Sequence, residues 1–227
     1  MRYRALACDY DGTLASGGRM EPATTAALGR ARASGRRIVL VTGRALDNLR
    51  LRCPNLDPFD LVVAENGGVL VDPRTDEVEE LADPPPVALL EALSVAGVPF
   101  STGRVIVSTV TAHEAAVREV MRNVGRDLHV VFNRSAVMIL PVDVSKESGL
   151  RVALARLGIP PQATVGVGDA ENDHAFLRDC GLAVAVANAI PAVAARADLV
   201  TSLPAGAGVV ELIDGCLLRD MAGFARG

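Results

Sequence analysis

The chain has 227 residues, half of them hydrophobic and 22% charged, with a formal net charge of −4. At about 100–200 residues per domain, that length allows one large domain or one domain carrying an insertion, and the composition excludes a disordered, collagenous or disulfide-framework protein. The net negative charge offers no basic field for nucleic acid, and with 3% aromatic residues and no tryptophan there is little for bases to stack on.

In chain order, short apolar runs alternate with helical stretches. Residues 4–8 predict a first strand, which ends in the polar cluster DYDGT. Residues 21–34 predict a helix stopped by Gly35, residues 37–41 (RIVLV) a second strand ending in Thr42-Gly43-Arg44, and residues 45–52 a helix. A third strand over 61–64 ends in Glu65-Asn66-Gly67-Gly68. Continuous rather than alternating apolar runs are the mark of parallel strands buried on both faces. The middle differs: a small hairpin over 69–71 and 77–81, a helix opened by three prolines and running to about residue 96, a strand over 104–110, a helix over 113–124, and strands over 129–132 and 136–140. The parallel pattern then returns, with a helix over 145–157, a strand over 163–167, a helix over 171–180, strands over 182–186 and 199–201, and a closing helix over 208–218. The expectation is an α/β protein: a doubly wound, Rossmann-like parallel-sheet core formed by 1–80 and 144–227, with an α+β cap inserted at 81–143.

Cys8, Cys53, Cys180 and Cys216 form no CxxC and are spread over the chain, which fits a reduced cytoplasmic setting. The N-terminal stretch lacks the pattern of a secretory signal, and no run of about 18 apolar residues is present to span a membrane. His113, His129 and His174 share no metal spacing and read as structural or surface residues.

Four apolar strands end in polar clusters: Asp9/Asp11, Thr42, Asn66 and Asp169/Asp173. In an open parallel sheet that edge is where ligands bind, so the four ends predict one convergent site. Any one of them alone also reads as a helix cap. Asp9-Tyr10-Asp11-Gly12-Thr13 is the sharpest signal. Carboxylates two apart on an extended chain project to the same side, and their repulsion should raise one pKa, leaving one ionised as nucleophile and the other as acid and then base. Asp169 and Asp173, with Asn172 between them, form an all-oxygen group suited to Mg²⁺. Lys146 opens a helix, where a cation is unfavourable unless an anion sits beside it. Arg104 and Arg134, in or beside strands of the insertion, could each receive a substrate carboxylate through a two-pronged pair.

Taken together these residues resemble the haloacid dehalogenase-like phosphatase superfamily, in its Cof-like branch with a cap in the second insertion position. DYDGT at 9–13, Thr42-Gly43-Arg44, Lys146 in DVSKESGL and GDAENDHAFL from Gly168 are similar to its four motifs. The stretch ending at Thr201, followed by residues 206–209, resembles the branch's C-terminal region, although Ala187 stands where glycine is usual before Asn188. The resemblance implies Asp9 as nucleophile and Asp11 as general acid/base. It implies Thr42, Gly43, Arg44, Asn66, Lys146 and Asn172 around the phosphate. Asp9, Asp169, Asp173 and the main-chain carbonyl of Asp11 would surround Mg²⁺. The short cap, roughly 60 residues by element lengths and ordinary domain sizes, resembles that of archaeal-type phosphoglycolate phosphatases. The partner implied is a small-molecule phosphate ester, taken by a monomer or homodimer. A sugar-phosphate mutase and a phospho-aspartate receiver switch share parts of this pattern. The acid at Asp11 and the insertion weigh against the switch, which should keep its phosphate.

Overall fold

Apolar runs of four or five residues, too short for stable helices and rich in Val, Leu and Ala, become strands whose two faces are both buried. The computed structural model describes residues 1–124 and 127–220. In chain order these are β1 (Ala5–Cys8), a two-residue hairpin β2 (Ala15–Ser16) and β3 (Arg19–Met20), α1 (Pro22–Ala33), β4 (Arg37–Val41), α2 (Leu46–Arg52), β5 (Leu61–Ala64), β6 (Val69–Asp72) and β7 (Glu77–Glu80). The middle segment supplies α3 (Val87–Val95), β8 (Ser101–Thr102), β9 (Val107–Val110), α4 (Glu114–Val124), β10 (Leu128–Asn133) and β11 (Ala136–Pro141). The remainder is α5 (Lys146–Leu157), β12 (Thr164–Gly168), α6 (His174–Asp179), β13 (Leu182–Ala185), α7 (Pro191–Ala194), β14 (Leu199–Val200) and α8 (Ala205–Gly215).

The main sheet has the order β14-β13-β12-β1-β4-β5-β6-β7; its first six strands run parallel and β6 and β7 antiparallel. The hairpin of β6 and β7 therefore extends the core sheet, and the acidic β7 blunts its outer edge. Side chains alternate along β1. Leu6 and Cys8 join α1, α2 and α8 on one face, whereas Ala5 and Ala7 join α5, α6 and α7 on the other. This is the expected doubly wound, three-layer α/β core.

The second sheet, β10-β11-β9-β8, is antiparallel. Val137 and Ile139 of β11 pack with α3 and α4 in a core of their own, and Met138 and Leu140 turn to the main body. One face of this sheet is thus held by its helices and the other lies over the core. Among the described residues no helix is long and apolar enough to cross a membrane.

Three short elements were not expected: β2–β3, β8 and α7. At two to four residues they carry too little periodicity to be read. The closing helix starts at Ala205 rather than 208, because its first turn contains Gly206, which intrinsic propensity disfavours. The expected helix over 171–180 opens with one 3₁₀ turn at Glu171–Asp173.

Helix α5 is seated by a close approach. A Cβ on Gly149 would lie 2.6 Å from both the Gly67 Cα and Val63 Cγ1, and 2.9 Å from the Gly67 carbonyl oxygen. Helix propensity alone favours alanine over glycine by about 1 kcal/mol. Here the steric contact should reverse that sign. Gly149→Ala is expected to lower the urea-unfolding stability by about 1–3 kcal/mol, and an unchanged or raised midpoint would refute the contact.

Candidate active site

Three neighbouring strand ends build the floor. β1 lies between β12 and β4, with Cys8 opposite Val167 on one side and Leu40 on the other. The residues following these strands, Asp9, Asp169 and Thr42, are therefore brought side by side. Asn66 follows β5 one strand further on, and Asp173 closes the 3₁₀ turn after β12. Lys146 enters from the first turn of α5, whose start is fixed by a reciprocal cap between Ser145 and Ser148.

The charges meet in the interior. Lys146 Nζ donates to Asp9 Oδ1 at 2.5 Å and to Asp173 Oδ1 at 2.7 Å, all three side chains being buried. The other oxygen of Asp173 accepts the main-chain N–H groups of Asp169 and Ala170, each at 2.9 Å. Asp169 accepts from the Thr13 hydroxyl at 2.8 Å and from the Arg134 guanidinium, which reaches down from the turn between β10 and β11. Asp9 Oδ2 is buried without a hydrogen-bond partner. Ligand oxygens of Asp9, Asp169 and Asp173 all lie within 4.8 Å of one another.

Burial pushes the Asp9 carboxyl well above the usual range; Lys146 pulls it back, and the charges of Asp173 and Asp169 push it further up. Burial also raises Asp169, against the hydrogen bonds from Arg134 and Thr13. For Lys146 burial works against the charge, but Asp173 and Asp9 outweigh it and hold the ammonium above its ordinary value.

Asp11 has a different setting from that expected. Its carboxylate is partly exposed and gripped by the Arg44 fork, Nε to Oδ2 at 2.6 Å and Nη2 to Oδ1 at 2.7 Å. The upward push on Asp9 therefore comes from burial and the Asp173 and Asp169 charges, not from Asp11. The side chain of Asp11 also stands outside the three-carboxylate cluster. Asp9 and Asp11 nevertheless line the same cavity, as their spacing predicts.

The other expected residues converge too. Thr42 Oγ1 accepts the Arg44 N–H at 3.2 Å, and the Thr42 carbonyl accepts from the Asn66 N–H at 2.9 Å. Asn172 Nδ2 donates to Asn66 Oδ1 at 2.9 Å, which leaves Asn172 Oδ1 buried and unpaired. Gly43 and Arg44 line a cavity of about 410 Å³ with Asp9, walled on the opposite side by Ser101, Ser108 and Asn133 of the second sheet. A wider space of about 960 Å³ opens on the other side of Asp11, between the β2–β3 hairpin, Arg134 and Asn188. Arg104 does not reach either space; its guanidinium pairs with Glu80 at 2.9 Å.

Sequence reasoning gave no role to Thr13 or Glu65 and left the contact of Asn188 open. Thr13 orients Asp169. Asn188 pins the loop after β1, donating to the Gly12 carbonyl at 2.8 Å and accepting from the Ala205 N–H at 2.7 Å. Glu65 is a fully buried carboxylate, and a charged residue set between LVVA and Asn-Gly-Gly was the available sign of it.

The profile of the haloacid dehalogenase-like hydrolase family matches residues 6–90 and 102–213. The chain belongs to the haloacid dehalogenase-like hydrolases. It is 34% identical over 218 residues to the phosphoglycolate phosphatase of Methanothermobacter thermautotrophicus, spanning 92% of this chain and 97% of that one. It is 31% identical over 216 residues to the phosphoglycolate phosphatase of Archaeoglobus fulgidus, spanning 92% and 95%. A haloacid dehalogenase-like hydrolase from Bacteroides thetaiotaomicron shares the fold, with a TM-score of 0.79 at 19% identity over 94% of this chain and 99% of that one.

The cluster suits a hard divalent cation. Its donors are all oxygens, its carboxylates outnumber the one buried ammonium, and an Asp9 oxygen is left over for a ligand. Mg²⁺ at about 100 times its dissociation constant should then stabilise the fold by about 2.7 kcal/mol, read as a rise in the unfolding midpoint. Asp169→Asn should lose most of that gain. Equal stabilisation of both proteins would place the cation elsewhere.

Proposed function

We propose that this hydrolase is a Mg²⁺-dependent phosphomonoesterase acting on a small anionic metabolite through an aspartyl-phosphate on Asp9. The carrying observation is the buried carboxylate of Asp9, one oxygen held by Lys146 and the other unpaired beside Asp169 and Asp173. In this reading residues 1–80 and 144–227 do the chemistry, and the Cof-type cap, 81–143, covers it.

The steps follow from the side chains. Asp9 attacks phosphorus and the ester P–O bond breaks, which divides one difficult displacement into two easier ones. Lys146 offsets the charge that would otherwise repel the phosphate from Asp9, with Thr42 and Asn172 as further hydrogen-bonding groups. Asp9, Asp169, Asp173 and the Asp11 carbonyl would hold Mg²⁺, which when bound supplies further positive charge at the transferring phosphoryl oxygens. Asp11 gives its proton to the leaving alkoxide. As carboxylate it then takes a proton from the water that attacks phosphorus, the Asp9–phosphate bond breaks and inorganic phosphate leaves.

Arg44 constrains this sequence. Its fork occupies both oxygens of the Asp11 carboxylate, whereas the first step needs Asp11 free to meet the leaving oxygen. A substrate that carries its own carboxylate resolves the conflict by taking the fork, since carboxylates suit a two-pronged guanidinium pair. Phosphoglycolate has that chemistry, a carboxylate one carbon from the phosphate ester, and it is the substrate named for the relatives above. The cavity of about 410 Å³ beside Asp9 lies within the ordinary range for small-molecule sites.

Phosphate release from a panel of phosphorylated metabolites, with Mg²⁺ and with excess chelator, tests the reading. Phosphoglycolate should lead the panel, chelator should abolish turnover, and Ca²⁺ should substitute poorly because it prefers more ligands at longer distances. Asp9→Asn keeps the shape and removes the attacking charge, so it should remain folded, with Lys146 still paired to Asp173, and turn over nothing. A panel led by sugar phosphates would overturn the substrate class, and an active Asp9→Asn would remove Asp9 as nucleophile.

A further inference from the structure

Glu65 is not a phosphate or metal residue in this reading, yet it is one of the most completely buried charged groups in the chain, at 1% exposure. It follows β5 directly and has a positive φ of 53°, uncommon for a residue with a side chain. Its side chain stands outside the three-carboxylate group and meets a set of main-chain donors. Oε1 accepts the N–H of Leu46 at 3.3 Å and of Arg104 at 3.1 Å; Oε2 accepts the N–H of Val105 at 2.8 Å and of Ile106 at 3.2 Å. Its own N–H donates to the Arg44 carbonyl at 2.9 Å.

These partners belong to two opposite walls of one space. Leu46 opens α2, which presents Asp47 and Asn48 to the cavity beside Asp9, and Arg44 immediately precedes it. Residues 104–106 join β8 to β9, which present Ser101, Thr102 and Ser108 to the same cavity from the other side. Glu65 lines neither wall. It ties the start of one to the turn of the other. The fit is tight from the second-sheet side: a Cβ on Gly103 would stand 2.5 Å from the Glu65 carboxyl carbon and from both its oxygens.

We propose that Glu65 is a positioning residue for substrate selection: its buried carboxylate sets the separation of the Arg44/α2 wall from the β8–β9 wall, and thereby decides which phosphorylated acid is bound well. This rests on the phosphatase reading above and adds a determinant that touches no substrate atom. Four donors converging on one carboxylate make an arrangement that no neutral side chain reproduces, because each oxygen receives main-chain N–H groups. In Glu65→Gln the amide NH₂ faces two main-chain donors in either orientation, so the tie loses either Leu46 and Arg104 or Val105 and Ile106.

The test compares wild type with Glu65→Gln, Glu65→Asp and Gly103→Ala. Steady-state kinetics would use phosphoglycolate and p-nitrophenyl phosphate, with amide hydrogen exchange at Leu46 and 104–106 followed in parallel. Misplacing the wall should raise KM for phosphoglycolate by about 10–100-fold in Glu65→Gln, with kcat changed by less than about 3-fold and KM for the aryl ester nearly unmoved. Glu65→Asp keeps both acceptors on a shorter arm and should fall between the two. Gly103→Ala, which strains the same contact from the other side, should share the KM effect even if Glu65→Gln folds poorly. Exchange at 104–106 should speed up in all three. Equal losses on both esters, a loss confined to kcat, or unchanged exchange at 104–106 would overturn the proposal. A wild-type enzyme that hydrolyses neither ester refutes the phosphatase reading instead; the exchange data then decide the tie itself, faster exchange supporting it and unchanged exchange overturning it.

Discussion

One ammonium in the interior has to answer for three carboxylates. Lys146 is fully buried, and it contacts Asp9 and Asp173 directly, with Asp169 alongside. Charges this far from water are costly unless paired, and taking one partner out of a buried ion pair typically costs about 3–5 kcal/mol. The surplus of negative charge is the feature on which the rest of the site depends. It leaves Asp9 with one oxygen unpaired, it makes room for a second cation, and it adds to burial, the larger cause, in pushing the carboxyls of Asp9 and Asp169 above their usual range. Arg134 supplies part of the missing positive charge from the second sheet, but its side chain is half exposed and, of the three carboxylates, pairs with Asp169.

The fold exists, in functional terms, to hold this arrangement still. The parallel order β12-β1-β4 sets three chain ends side by side, so the acids on adjacent strands need no long loops to meet. Glycine at 149 lets α5 approach closely enough for Lys146 to reach them. Main-chain donors then fix two of the acids: Asp173 through Asp169 and Ala170, and Glu65 through four amides further out. In the proposed reaction the Arg44–Asp11 pair has to be undone, which assigns Arg44 to the part of the substrate that does not react.

Much of this was legible in the residues. Buried parallel strands announce themselves as continuous apolar runs, and a ligand edge as polar residues at their ends, so Asp9, Thr42, Asn66, Asp169 and Asp173 could be placed together before any coordinates. A lysine at the first turn of a helix likewise called for an anion, and two are there. What could not be read is what depends on contacts between distant segments. Spacing suggested that Asp9 and Asp11 would perturb each other, but Asp11 turns its carboxylate to the Arg44 fork, 33 residues away. Arg104 and Arg134 looked equivalent on cap strands. The register of the second sheet sends one to Glu80 and the other to Asp169. Glu65 was hidden for the same reason, since all but one of its donors lie about forty residues on, in the insertion.

The central claim is that Asp9 carries the phosphoryl group. The most direct measurement mixes enzyme, Mg²⁺ and phosphoglycolate, quenches in acid within a turnover, and reduces with borohydride, which converts an aspartyl-phosphate to homoserine. Peptide mass spectrometry should then find homoserine at position 9 in wild type and nowhere in Asp9→Asn. Modification at another aspartate, or rapid phosphate release with position 9 unmodified at every quench time, would contradict the account.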